Sequence, residues 1–341
     1  PRMPLYGPAG QRRIAPPLVF GMGVLWHLLR HGRRYDVVHT AAFPYFSLLA
    51  AGLLRPLWGY ALVADWFEFW SKAYWRDYLG GLGGRIGWLV QSLCLRVPQH
   101  AFSFARMTEA RLRAHGLRGP ASVLVGLCAG PRDRREPRDA DPLVVFAGRH
   151  IPEKRVPAIV PAIEVARRRI PDLKACIFGS GPERPAVLAA IRERGLESVI
   201  TAPGFAPAEA VEEALSRAMC MLLPSSREGY GLVDVEASSA GTPSVLVRGE
   251  DNAATELVEE GVNGVVAPTA CPEDLAQAIV RIHEAGRPLR VSTADWFARN
   301  SRRLSVDSSL DQVASAYAGS GAAAFRAPAN PGALPSGERP V

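Results

Sequence analysis

No cysteine pair in this chain has the spacing of a metal site or a disulfide framework. Cys94, Cys128, Cys176, Cys220 and Cys271 stand far apart without a Cys-x-x-Cys, mostly among apolar neighbours, which fits a reducing cytoplasm. Long apolar runs are also missing. The best candidate, "APPLVFGMGVLWHLL" from Ala15 to Leu29, is interrupted by prolines and a histidine and falls short of the roughly 20 residues of a membrane span. No small-residue cleavage site follows it before the Arg-rich "RHGRRYD", so it lacks a secretory layout as well. Acidic residues are scarce in the first part: up to Arg135 there are 18 Lys/Arg against 6 Asp/Glu, whereas the remainder has 22 against 27. Such a basic field draws a nucleic acid, an anionic membrane face or an acidic small molecule, or serves solubility alone. No zinc finger or RNA-recognition sequence is present, which argues against nucleic acid.

What the chain does have is apolar material for two ordinary domains, with 341 residues of which 48% are hydrophobic. Short apolar strands alternate with helical stretches, the βαβ rhythm of a parallel α/β fold. "YDVVHT", "YALVAD", "HAFSFA" and "ASVLVG" read as the strands of a first domain over residues 1–135. A polar, proline-containing run from Gly130 to Pro142 breaks the rhythm, and residues 136–142 are expected to form the linker. The rhythm restarts with "LVVFAG", "KACIFGSGP", "SVITAPG" and "MCMLLPS" in a second doubly wound domain over residues 143–305. A C-terminal helix over 306–318 follows. Residues 319–341, small, proline-rich and low in complexity, read as a disordered tail.

Three loops of the second domain carry the chemistry, each at the carboxyl end of a strand, where open α/β sheets bind ligands. In "GRHIPEKR", Arg149 and Lys154 can converge on phosphates, although alone they would pass for a solvated pair. In "GSGP", Gly179 and Gly181 allow close backbone approach, yet the full dinucleotide fingerprint is missing. In "PSSREGYGLVDVE", the turn Gly229-Tyr230-Gly231 aims helix-start amides at an anion, between Glu228 and Glu236. Their order on consecutive sheet edges describes a pocket for a diphosphate. The Asp-x-Asp at Asp139 and Asp141 precedes the first strand of its domain and reads as a solvated turn, not a metal ligand.

"FAGRHIPEKR", "CIFGSGPER", "LLPSSREGYGLVDVEASSAGTPSV" and "ELVEEGVNGVVAP" together resemble the donor-binding half of retaining glycosyltransferases of family 4, over roughly Leu143 to Glu284. The resemblance implies the GT-B architecture of two facing Rossmann-like domains and a nucleoside-diphosphate-sugar donor. It implies that Glu228 lies by the donor sugar, that Gly229, Tyr230, Gly231 and Leu232 offer backbone amides to sugar and phosphate, and that Glu236 holds the ribose. Arg149 and Lys154, beside Gly148, match the pair that neutralises the departing diphosphate. Transfer would proceed with retention of anomeric configuration, without a metal or other cofactor, the leaving phosphate helping to deprotonate the acceptor. That acceptor would be a saccharide, a lipid-linked or a small molecule. Location would be cytoplasmic, with a peripheral contact at the inner face of an anionic membrane.

The first domain departs from the family pattern. Members open with a strand, a glycine-rich loop reaching the donor phosphate and two further strands, none of them evident in Pro1 to Arg34, so this domain is expected to be truncated or abbreviated. Members also carry a histidine after the strand matched by "YALVAD". Phe67 or Asp65 stands there, leaving Asp65 and Glu68 as acceptor-side substitutes. The cluster Trp66, Phe67, Phe69, Trp70, Tyr74 and Trp75 is either an acceptor platform or ordinary core, core being the simpler reading. Two other functions stay open: a GT-B-like protein that binds a sugar nucleotide without transferring it, and a sugar-nucleotide epimerase, which should lack the Glu-x7-Glu turn.

Overall fold

The computed structural model describes residues 14–130 and 136–319. Helix α1 (Ala15–His31) starts with Pro16 and Pro17, whose fixed φ and missing N–H suit a first helical turn. A single 3-10 turn leads into β1 (Val37–Ala41), α2 (Phe46–Trp58), β2 (Ala61–Trp66) and α3 (Lys72–Arg96). Helix α3 is capped by the Ser71 hydroxyl, which accepts from the Tyr74 amide, and breaks at Gly80, where φ is 76°. Then come β3 (His100–Ser103), α4 (Arg106–Ala114) and β4 (Ala121–Val123). The four expected strands thus form one parallel sheet, ordered β1-β2-β3-β4.

The second domain begins at β5 (Asp141–Ala147) and continues through α5 (Ile159–Ala166), β6 (Lys174–Phe178), α6 (Arg184–Glu193), β7 (Ile200–Gly204) and α7 (Ala208–Arg217). After β8 (Ala218–Leu223) come the two-residue β9 (Arg227–Glu228), α8 (Leu232–Ser239), β10 (Ser244–Val247), the two-residue β11 (Asp251–Asn252) and β12 (Gly264–Ala267). Its sheet is parallel and ordered β12-β10-β8-β5-β6-β7. All six residues of β8 are buried, as a strand covered on both faces requires. The order reverses between β5 and β8. In a doubly wound sheet, the crevice beyond the carboxyl ends of those two strands is where ligands bind.

Helix α9 (Pro272–Leu304) runs along the second domain, bends at Gly286 and returns to the first; α10 (Val306–Gly319) completes that crossing. Val306 N–H bonds the Cys128 carbonyl at 3.0 Å, and Gly126 N–H bonds the Ser309 hydroxyl at 3.1 Å. The first sheet is therefore covered on both faces. Leu62, Ala64, Trp66 and Ala101 pack with α1, α2 and α3, while Val63 and Phe102 face Trp296, Phe297 and Leu304. The second cluster also takes in Tyr230, Val235 and Leu257, so it seals the two domains together. The segment expected to lack strands carries α1 from Ala15 onward, and residues 1–13 lie outside the described part. So does the tail expected to be disordered, beyond Gly319.

Candidate functional site

The loops after β5, β6 and β8 are stitched into one surface by their backbones. His150 N–H bonds the Ser180 carbonyl at 2.9 Å, Glu183 N–H bonds the His150 carbonyl at 2.9 Å, and Ser226 N–H bonds the Glu153 carbonyl at 2.9 Å. Gly179 has a φ of 111°, and a Cβ there would stand 1.8 Å from the Gly148 carbonyl oxygen, so only glycine permits this packing. Gly231, with a φ of 107°, is the cap residue of α8; a Cβ on it would meet the Ala254 methyl at 2.6 Å. The third loop is held from behind by Asn252, whose amide donates to the carbonyls of Ser225 and Val247 at 3.2 and 2.8 Å.

Charge is concentrated across the reversal point. The Lys154 ammonium, on the 3-10 turn Pro152–Lys154, forms an ion pair with the Glu228 carboxylate, and both side chains are largely buried. Arg149 is exposed and has no ion-pair partner among the described residues. Beneath this loop the His150 ring is fully buried and its pKa falls, chiefly by desolvation. On α8, Glu236 points outward, its pKa raised first by partial desolvation and then by the Glu212 carboxylate. Two residues earlier, Asp234 points into the domain. Burial pushes its pKa up to about 7, with the Ser244 hydroxyl acting in the opposite direction.

The first domain closes directly on these loops. The segment between β2 and α3 places the Phe67 carbonyl where a Cβ on Gly229 would come within 2.7 Å of it. Glu68 forms an ion pair with Arg227, and its carboxylate also accepts from the Trp70 indole N–H at 2.8 Å. The Arg227 guanidinium lies 4.6 Å from the centre of the Trp70 ring and 4.0 Å from that of Tyr74. Burial lowers its pKa to about 10, while Asp251 and Tyr45 act in the opposite direction. The Tyr74 hydroxyl donates to Glu153 at 2.9 Å, one residue from Lys154. Further along the cleft, Arg111 pairs with Asp251 at 2.5 Å, and the Arg106 and Met107 amides at the start of α4 donate to Glu256 at 2.9 and 2.7 Å.

This geometry redistributes several roles expected from sequence. Lys154, Glu228, Gly148, Gly179, Gly181, Gly229, Gly231 and Leu232 lie on the three joined loops, with Arg149 and Glu236 at their exposed rim. Glu68 is not a free acceptor-side carboxylate, because Arg227 and Trp70 occupy it. Asp65 accepts from His39 Nε2 at 2.9 Å, and His39 Nδ1 lies 2.5 Å from the Tyr317 hydroxyl of α10, so Asp65 belongs to a knot on the covered face of the first sheet. The Tyr230 side chain turns away from the pocket into the interdomain core, its hydroxyl donating to the Val125 carbonyl. The aromatic cluster divides: Trp66, Phe69 and Trp75 are core, Trp70 and Tyr74 grip Arg227, and Phe67 is exposed and stacked on Phe104 at 4.7 Å. Asp139 and Asp141 are ion-paired with Arg287 and Arg217 at the opposite end of β5 from the cleft.

Two features were missed. Arg227 carries no local signal, because its carboxylate partner Glu68 lies 159 residues away in sequence. Phe205, directly after β7, is 91% exposed at the same end of the sheet. Its signal was an aromatic residue following the terminal Gly204 of a strand in "PGFAP".

Residues 132–300 match the family described as Glycosyl transferases group 1. Alpha-D-kanosaminyltransferase of Streptomyces kanamyceticus is 31% identical over 180 residues, 52% of this chain and 46% of that enzyme. Among solved structures, Anabaena HepE in complex with UDP superposes with a TM-score of 0.71 at 18% identity, covering 86% of this chain and 82% of that one. The sucrose-phosphate synthase of Thermosynechococcus elongatus gives 0.73 at 20% identity, covering 92% and 81%. The matched stretch spans less than half the length of such curated relatives.

Proposed function

Since residues 132–300 belong to the glycosyl transferases group 1 family within a GT-B fold, we propose that this chain transfers a sugar from a nucleoside-diphosphate sugar to an acceptor with retention of anomeric configuration. The observation that carries the reading is the Lys154–Glu228 pair spanning the β5/β8 reversal, with Arg149 beside it and two glycine turns leaving room for a diphosphate. As the bond between anomeric carbon and phosphate breaks, negative charge grows on the leaving group, and Lys154 and Arg149 stabilise it. Glu228 faces the sugar, and the amides opening α8 face the phosphates. Glu236 accepts from the ribose hydroxyls, and Phe205 offers a ring to the base. Two cations serve the leaving group without a metal, so chelation leaves turnover unchanged. The acceptor is a saccharide, a lipid-linked or a small molecule that enters beside Phe67. The chain works in the cytoplasm, and its basic first domain favours a peripheral contact with an anionic membrane.

The test is incubation with a panel of nucleotide sugars, UDP-sugars first because HepE was solved with UDP, scoring transfer or slow donor hydrolysis. Lys154→Ala should lose about 10²–10³ in turnover, the cost of removing one preorganised stabilising group. Wild-type turnover in that variant would contradict the role given to Lys154. One observation favours a second reading, sugar-nucleotide binding without transfer: Asp65 and Glu68 are both engaged, so neither carboxylate is free to position the acceptor. Nucleotide affinity with neither transfer nor hydrolysis would select it, and an epimerised donor would select the third alternative.

A further inference from the structure

Helices α1, α2 and α3 lie side by side on one face of the first sheet, sharing a single core. Gly21 and Gly32 of α1 lie against Phe46 and Trp58 of α2, so these two run in the same direction, and Gly52 of α2 lies against Val97 just beyond α3. Their outward sides should be polar. Instead, Leu82, Ile86, Leu89 and Leu93 recur at helical spacing along α3 and are between 40% and 74% exposed. The opposite side of the same helix is already spent on the core: Gln91, Cys94 and Leu95 are buried, and Gly87 sits against the Trp75 ring. Leu53 and Leu57 continue the exposed band on α2, and Trp26 continues it on α1. Singly exposed leucines are ordinary, but four in helical register on α3, with further exposed apolar residues on its two neighbours, mark a contact surface.

The charges around this band identify its occupant. Across the three helices there are six basic side chains, Arg30, Arg55, Lys72, Arg76, Arg85 and Arg96, against one acid, Asp77. Arg85 and Arg96 sit beside the leucine band at the spacing that places them on the outward half of α3, both exposed, and Arg30 lies over the Trp26 ring at 3.1 Å. An isologous pair of copies would oppose like charges across this face. An anionic bilayer satisfies both features, taking the apolar side chains at the headgroup boundary and the arginines at the phosphates. No helix among the described residues is long and apolar enough to cross a membrane. We propose that the outward face of α1, α2 and α3 is the surface by which this chain rests on an anionic membrane. This deepens the peripheral contact proposed above by naming its surface, and it is independent of the chemistry in the cleft.

Co-sedimentation with vesicles tests it, comparing phosphatidylcholine alone with equal parts phosphatidylcholine and phosphatidylglycerol at low and high salt. The parent should bind the anionic vesicles and release them at high salt. Ile86→Glu combined with Leu89→Glu, at two exposed positions, should lower partitioning at least tenfold, and Arg85→Glu severalfold. Leu310→Glu, an equally exposed site on α10, should change nothing. Circular dichroism and nucleotide calorimetry confirm that each variant is folded and its cleft intact. Undiminished binding by the double variant would leave the peripheral contact standing and overturn this face as its site. Absence of binding by the parent would overturn both. Light scattering that finds a parent dimer made monomeric by the double substitution, with no vesicle binding, would assign the face to a second copy and also overturn the proposal.

Discussion

Replacing Arg227 by alanine should loosen the closed arrangement of the two domains. The guanidinium is largely buried, lies over two aromatic rings of the first domain and neutralises Glu68. Breaking a buried pair by removing one partner costs roughly 3–5 kcal/mol, and loss of the ring contacts adds about 0.5–2 kcal/mol. Glu68 is 34% exposed at its side chain, so water relieves part of its isolation, and it retains the Trp70 N–H. A net destabilisation of about 2–4 kcal/mol follows from those terms. Arg227→Lys keeps the charge but loses the planar stack and the fork, and should recover about half. Urea denaturation of parent, Arg227→Ala, Glu68→Gln and the double variant closes a cycle, with an expected coupling of about 1–3 kcal/mol. The transitions must superimpose by fluorescence and circular dichroism for a single free energy to be read. A coupling below about 0.5 kcal/mol would refute the claim that this pair joins the domains.

Four shorter expectations follow from the cleft and its supports. In calorimetric titrations with UDP, GDP and ADP, Glu236→Gln should weaken nucleotide binding by about 1.5–3 kcal/mol, because it loses charge-assisted acceptance from the ribose. Glu228→Gln should leave that affinity nearly intact while lowering turnover; equal losses of nucleotide affinity in the two would contradict the division of roles. Asp234 keeps its proton in the folded state up to about pH 7, while the unfolded chain loses it near the ordinary aspartate value of 3.8. Stability should therefore fall as pH rises through that window and level off above it, and Asp234→Asn should abolish the slope and gain up to about 4 kcal/mol at pH 8. A parallel pH profile for parent and variant would show that the carboxyl is charged in the fold. Phe205→Ala, at an exposed position, should leave stability within about 0.5 kcal/mol of the parent but weaken nucleotide binding. Unchanged binding would remove the ring from the donor site.

Most of the second domain was legible in the sequence because its signals are local. Apolar strands bounded by Gly148, Gly179 and Gly204 announce a parallel sheet, and in such a sheet every loop after a strand emerges at the same edge. Arg149, Lys154, Glu228 and Glu236, read in order, could therefore be assigned to that edge from sequence, and of the four Lys154 and Glu228 form an ion pair there. The strand order, with β8 beside β5, came from the fold and put Lys154 against Glu228. What lay beyond sequence was the matching of one domain to the other. Asp65 and Glu68 had the residue types of acceptor-side acids, but whether a carboxylate is free depends on which cation the distant chain delivers to it. His39 and Arg227 reach them through strand pairing and domain closure. Tyr230 likewise sits in a turn that local rules place on the candidate site, while its side chain follows the larger apolar surface between the domains. Backbone turns and strand edges obey interactions among neighbours in sequence. Ion pairs and apolar contacts between domains have no such periodicity, and only the folded chain decides them.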